Sequence, residues 1–166
     1  GLITGIANEK SISTGVAEAC AAAGATLIIT YQNDKTRAFI EPVIHRLGVK
    51  DVFLLDVTRP ETMDAAFAEI EARHGKLDFA LHSMAFAKRD DLHGRVVDVS
   101  ADGFALAMDV STHSFVRLAQ KAEPLLEKAG GGALVTMTYL GSEKVIPNYG
   151  VMGLCKAALE AATRYM

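Results

Sequence analysis

Little in this sequence points to metal, nucleic acid or membrane, and each shortage excludes a class of function. There are two cysteines in 166 residues, Cys20 and Cys155, too few for a structural zinc site on their own. The five histidines, His45, His74, His82, His93 and His113, include no pair at helical i, i+4 spacing, so no metal site is expected. A surplus of positive charge is also missing. The formal net charge is −3, which argues against a nucleic-acid-binding surface. No stretch approaches about 18 consecutive apolar residues, so no membrane span is expected. The chain does not open on a basic stretch followed by an apolar run, so no secretory signal is expected. Both cysteines fall in apolar helical segments, which suits reduced thiols and a cytoplasmic location. Repeats, linkers and low-complexity tracts are absent, and the length suits one domain with a real core.

What is present is an alternation of strands and helices. Half the residues are hydrophobic. Gly1 to Gly5 reads as the end of a strand, and Val16 to Gly24 is helical in composition. The runs Ala25–Thr30, Val52–Val57, Lys76–His82 and Ala133–Thr138 read as four further strands. Asn33 or Asp34 caps a helix over 35–47 that Gly48 closes. Thr58-Arg-Pro-Glu61 is written as a capping box for a helix through Arg73. Residues 100–128 read as one long helix, with His113 and Pro124 serving packing and a local bend. Five strand–helix alternations predict an α/β, Rossmann-like, doubly wound parallel sheet with helices on both faces. Ligands bind such sheets at the C-terminal ends of the strands.

Polar residues collect at those ends. The turn from Gly5 to Gly15, with Ser11 and Ser13, is either a phosphate cradle at a helix N-terminus or an ordinary capped turn. It lacks the Gly-x-Gly-x-x-Gly spacing. Gln32 follows the second strand where an adenosine ribose would lie, with Asp34, Lys35 and Arg37 close behind. Asp56 ends the third strand, as an adenine acceptor or as a solvated loop carboxylate. Ser83-Met84-Ala-Phe-Ala87 is a small apolar loop that can lie against a nicotinamide or simply pack.

The most specific stretch is Tyr139 to Lys156. Tyr149 and Lys156 are seven residues apart, about 700° and about 10.5 Å along a helix, so both project from one face. An ammonium beside a phenol lowers the phenol's pKa and lets it serve an oxygen gaining negative charge. The alternative is a satisfied buried tyrosine and a lysine reaching water. The convergence of the other polar candidates favours the chemical reading.

On Thr4–Ile12, Thr30–Asp34, Asp56-Val57, His82–Ala87 and the Tyr139, Tyr149, Lys156 spacing, the chain resembles the bacterial NADH-dependent enoyl-acyl-carrier-protein reductases. These are a divergent branch of the short-chain dehydrogenase/reductases. Ordinary members of that superfamily place the lysine four residues after the tyrosine, where Gly153 stands, and a serine thirteen before it, where Thr136 stands. The resemblance implies reduction of enoyl thioesters on acyl carrier protein in fatty acid synthesis. It also implies Tyr149 on the thioester carbonyl, Lys156 on the nicotinamide ribose, and Tyr139 as a second active-site tyrosine. Gly5, Ser11, Ile12, Gln32, Asp56, Val57 and Met84 are implied to line the cofactor and Ala87 to touch substrate. NAD, as NADH rather than NADPH, and a homotetramer follow likewise. Family members are longer, so residues 1–166 are expected to be part of a longer domain. The competing expectations are a carbonyl (3-oxoacyl) reductase and a non-catalytic dinucleotide-binding piece.

Overall fold

The computed structural model describes residues 1–166. The chain divides into two units, Gly1–Ser83 with Leu118–Thr136, and Met84–Arg117 with Met137–Met166.

The first unit holds one parallel sheet of five strands. These are β1 (Leu2–Ile3), β2 (Ile28–Tyr31), β3 (Asp51–Leu54), β4 (Phe79–His82) and β5 (Ala133–Thr136), in the order β3-β2-β1-β4-β5. Leu2 pairs with both Ile28 and Ala80, and Ile3 with Ile29 and Leu81. All six of these side chains are buried, because a central parallel strand is covered on both faces and reads as a continuous apolar run. Pairing continues past the regular ladder, with Thr4 N donating to Leu81 O at 3.0 Å and Leu55 N to Tyr31 O at 2.8 Å.

Right-handed crossovers send the chain one way from β1 to β3, then back past β1 to β4 and β5. Helices α1 (Ile12–Ala22) and α2 (Asp34–Leu47) therefore share one face, and Arg46 of α2 reaches Glu18 of α1 at 2.6 Å. Helix α3 (Pro60–His74) and the second part of a helix spanning Ser114–Lys128 share the other face. Lys121 meets Asp64 there at 2.7 Å and Lys128 meets Glu71 at 2.6 Å. These exposed pairs report which helices are neighbours and add little stability.

Local signals act as expected in α2, where Asn33 Oδ1 accepts from Thr36 N at 3.0 Å and Gly48 ends the helix at φ 63°. The capping box at Thr58 does not form. Arg59 takes the N-cap position, and Thr58 Oγ1 donates instead to Asp56 Oδ1 at 2.8 Å. Thr62 Oγ1 ties the start of α3 to β3's end, accepting from Asp56 N at 2.9 Å.

The second unit comprises α4 (Arg89–His93), a 3₁₀ turn at Val96–Asp98, α5 (Ala101–Met108), a π turn at Asp109–His113, the opening of α6 (Ser114–Lys128), a 3₁₀ turn at Leu140–Ser142, and α7 (Gly150–Tyr165). The expected single helix over 100–128 is thus broken by the π turn. Ser111 and Thr112 lie inside that turn and spend their hydroxyls on neighbouring segments. His113, expected to pack, is exposed instead, its Nδ1 accepting from Arg117 Nη1 at 2.8 Å. No helix is long and apolar enough to cross a membrane.

Gly5 sits where β1 ends, at φ +79°, and a Cβ there would lie 1.8 Å from the Ser83 carbonyl oxygen. Gly15 in α1 faces open space. Gly5→Ala is expected to destabilise by about 3 kcal/mol or more, and Gly15→Ala to stabilise by about 0.5–1 kcal/mol. Urea midpoints at unchanged m-value check both, and equal shifts of one sign would contradict the packing described.

Candidate active site

At the C-terminal edge of the sheet, the first unit gathers Gly5, Ser11, Ile12, Gln32, Asp56 and Val57. The strand order reverses between β1 and β4, the topological switch point where open α/β sheets bind ligands, and Gly5 and Ser83 meet there. Ser11 occupies the N-cap position of α1 without capping it. Its Oγ accepts from Ala7 N and Asn8 N at 3.1 Å each, which leaves its own hydroxyl proton to donate outward. Ser13 turns inward to Gly5 O at 3.1 Å. Ile12, in the first turn of α1, is 68% exposed. Gln32 is exposed. Arg37, in the first turn of α2, lies 5.6 Å over the Tyr31 ring and pairs with Glu41 at 2.9 Å. Asp56 receives both Thr58 donors on Oδ1, leaving Oδ2 for an outside donor. Val57 is buried. Thr136 ends β5 with its hydroxyl 3.0 Å from Nδ1 of buried His82.

In the second unit, Met84 and Ala87 belong to the irregular loop after β4. Ser111 clamps that loop, its Oγ accepting from Phe86 N at 3.0 Å and donating to Phe86 O at 3.2 Å. Ala87 and Tyr149 pack against the same buried cluster of Ala107, Val151, Met152 and Cys155. Tyr149 is the N-cap residue of α7, not a residue within it, and follows Asn148 at φ 59°, a left-handed conformation asparagine tolerates. Its ring meets Tyr139 edge to face, with centroids 4.9 Å apart and planes at 65°. Such a pair favours a fixed mutual orientation.

Lys156 is buried at 5% exposure and donates from Nζ to Met137 O at 2.6 Å. Burial lowers its pKa. Tyr149 is shifted upward, by burial first and then by Tyr139 and Cys155. The expected lowering of the phenol by the ammonium is therefore not found. Tyr149 stays a protonated donor, and the lysine's charge is directed at a carbonyl.

Two glycines set this arrangement. A Cβ at Gly153 would lie 2.7 Å from Gly141 O, and one at Gly141 would lie 2.5 Å from Tyr149 Cδ1. A side chain four residues after the tyrosine would run into the Gly141 carbonyl. Sequence reading overlooked Ser111, Thr112, His82 and the Met137 carbonyl. The run Ser111-Thr-His-Ser114, polar inside an apolar helix, was a usable signal for the first two. A backbone carbonyl carries none.

A parallel doubly wound sheet whose strand order reverses between β1 and β4 defines a Rossmann-type α/β protein. Residues 5–166 match the family described as Enoyl-(Acyl carrier protein) reductase. The chain belongs to that family. It is 45% identical over its whole length to enoyl-[acyl-carrier-protein] reductase [NADH] 1 of Rhizobium meliloti, of which it covers 60%. It superposes at TM-score 0.95 and 42% identity on the enoyl-(acyl-carrier-protein) reductase of Anaplasma phagocytophilum in complex with NAD, covering 99% of this chain and 62% of that one. The Bacillus cereus enoyl-acyl carrier protein reductase, solved with NADP+ and indole naphthyridinone, gives 0.94 at 39% identity, covering 99% and 64%. The chain thus spans less than two thirds of the length of these relatives.

The two cysteines differ in a testable way. Burial pushes the Cys155 thiol up to about 11, so at pH 8 it is almost wholly protonated as well as enclosed. Iodoacetamide at pH 8 is expected to label the partly exposed Cys20 and to spare the enclosed, protonated Cys155 by at least tenfold. Mass spectrometry of tryptic peptides reads the ratio, and comparable labelling would contradict the packing of α7.

Proposed function

We propose that residues 1–166 act as one dinucleotide-binding and catalytic domain in an NADH-dependent enoyl-acyl-carrier-protein reductase. The observation that carries this is Lys156. Its ammonium has three donors, is almost fully buried, and has one acceptor in the chain, Met137 O. Burying a charge is unfavourable unless further acceptors arrive, and two vicinal ribose hydroxyls would supply them. The donors of the first unit fit the rest of the dinucleotide. Ser11 would meet phosphate, exposed Ile12 and the largely buried Val57 would flank the adenine, Asp56 Oδ2 would accept its amine, and Gln32 would meet the ribose side. Met84 would contact the nicotinamide half.

When bound, NADH supplies the hydride that adds to C3 of a trans-2 enoyl thioester. The pair from the C2–C3 double bond moves to the thioester oxygen as an enolate, and a proton then reaches C2. Tyr149 donates its phenol proton in a hydrogen bond to that oxygen, which its raised pKa allows across neutral pH. Tyr139 holds the Tyr149 ring and lines the acyl side with Ala87. Donors placed where an oxyanion develops are commonly worth about 10²–10³ in rate each.

The carbonyl-reductase reading is disfavoured because Thr136, at the position of that class's serine, is engaged by buried His82. A preference for NADH rests on Arg37 being held by Tyr31 and Glu41 instead of standing free for a 2′-phosphate. Acyl carrier protein as partner, a cytoplasmic setting and a homotetramer complete the proposal. Exposed Phe104, Val116 and Leu154 in the second unit support an interface between subunits.

Incubating the complete protein that carries this sequence with NADH and crotonyl thioester, and following NADH absorbance, tests the proposal. Binding without turnover would favour the non-catalytic reading, and a tenfold preference for NADPH would overturn the cofactor assignment. Tyr149→Phe is expected to lower turnover by about 10–10³-fold with NADH affinity largely kept. An unchanged kcat would sink the role given to Tyr149.

The pH dependence follows from Lys156. Its protonated form is the active one, present below its folded pKa and lost as pH rises through it, and burial places that pKa below 10.5. kcat/KM is expected to fall on the alkaline side with a midpoint under 10.5. Lys156→Met should abolish that limb and weaken NADH binding. A variant with parental affinity and the same limb would disprove the ribose role.

A further inference from the structure

We propose that Glu160 is a positioning residue for the tyrosine pair and for Lys156, acting through the hydroxyls of Thr138 and Ser142. The proposal rests on the enoyl-reductase reading above. Glu160 lies one turn beyond Lys156 on α7. Its Oε1 accepts from Thr138 Oγ1 at 2.5 Å. Ser142 first and Thr138 second hold its carboxyl below the usual carboxylate range. The segment between those two hydroxyls, with the residue just before it, carries both elements of the chemistry. Met137 O, one residue before Thr138, receives Lys156 Nζ at 2.6 Å, and the Tyr139 ring meets the Tyr149 ring at 4.9 Å.

That segment also packs on α7 where the Gly141 carbonyl approaches Gly153. Tyr139 is 48% exposed and Leu140 51%, so apolar burial holds it weakly. The backbone is extended at Tyr139 and then closes a single 3₁₀ turn, with Ser142 N donating to Tyr139 O at 2.9 Å and Lys144 N to Leu140 O at 3.0 Å. An ionised carboxylate accepts at two oxygens, so one side chain suits two hydroxyls, and charge-assisted bonds are the stronger kind. A glutamate serving only the surface of α7 would instead pair with Arg164, one turn further on. Arg164 contributes least of all to holding its charge. The carboxylate is thus committed to the Met137–Ser142 segment, on the same helix as the lysine whose acceptor that segment supplies. Shifts of about 1 Å in such a constellation are enough to cost up to about 10²-fold in rate.

The test compares Glu160→Ala, Glu160→Gln, the Thr138→Val/Ser142→Ala pair, and that pair combined with Glu160→Ala, all in the complete protein. Glu160→Ala is expected to lower kcat for crotonyl thioester about tenfold, with crotonyl KM and the melting temperature little changed. Glu160→Gln should recover part of the loss, because its carbonyl still accepts from one hydroxyl. The combined variant should lose no more than Glu160→Ala alone, since all three side chains act as one unit. Losses that multiply would overturn the proposal. Amide hydrogen exchange reads the same contact without any activity. Exchange at Ser142 and Lys144 should quicken about tenfold in Glu160→Ala while amides in the middle of α7 keep their protection. Unchanged exchange there overturns the proposal whatever the kinetics show. If the parent protein fails to reduce the thioester, the enoyl-reductase reading falls, and the exchange data still decide whether Glu160 orders the segment.

Discussion

The buried ammonium of Lys156 is the constraint on which the second unit depends. Removing such a charge from water costs several kcal/mol even after the surroundings relax, and one carbonyl returns only part of it. The chain tolerates the charge at 5% exposure because everything around it is tied down. Met137 O stands 2.6 Å away, and α7 is pinned from the side by Thr112 Oγ1 donating to Cys155 O at 2.9 Å.

Close approach supplies the rest of the order. Gly153 lets α7 come down onto the Gly141 carbonyl, and Gly141 makes room for the Tyr149 ring. Side chains larger than hydrogen at either place would separate the 3₁₀ turn from the helix, and with it Tyr139 from Tyr149. The π turn at Asp109–His113 works with this packing. Ser111 bonds the loop carrying Ala87, and Thr112 bonds the helix carrying Lys156. Irregular turns inside helices often mark functional positions, and here the irregularity redirects two adjacent hydroxyls to two different segments.

The first unit reaches its order by simpler means. Apolar strands buried on both faces set the sheet, and parallel direction places every strand's C-terminal end along one edge. Gly5, Gln32, Asp56 and Ser83 arrive there without any specific contact among most of them. Among these four, Gly5 is sterically obligatory, because its neighbour is a backbone carbonyl that cannot move aside.

Sequence alone was enough for the strand–helix alternation, the parallel sheet, and the Asn33 and Gly48 boundaries of α2. Those features depend on local periodicity, capping chemistry and chain direction, all properties of neighbours in sequence. The capping box at Thr58, the unbroken helix over 100–128 and the lowered phenol pKa at Tyr149 did not survive. Each depends on where a side chain finds its partner. Thr58 found Asp56, Ser111 and Thr112 found other segments, and Lys156 found a main-chain oxygen. Residue types and spacings determined which groups this protein has for its chemistry. Only tertiary packing decided their protonation and partners, because burial and hydrogen-bond competition are set by atoms far away in the chain.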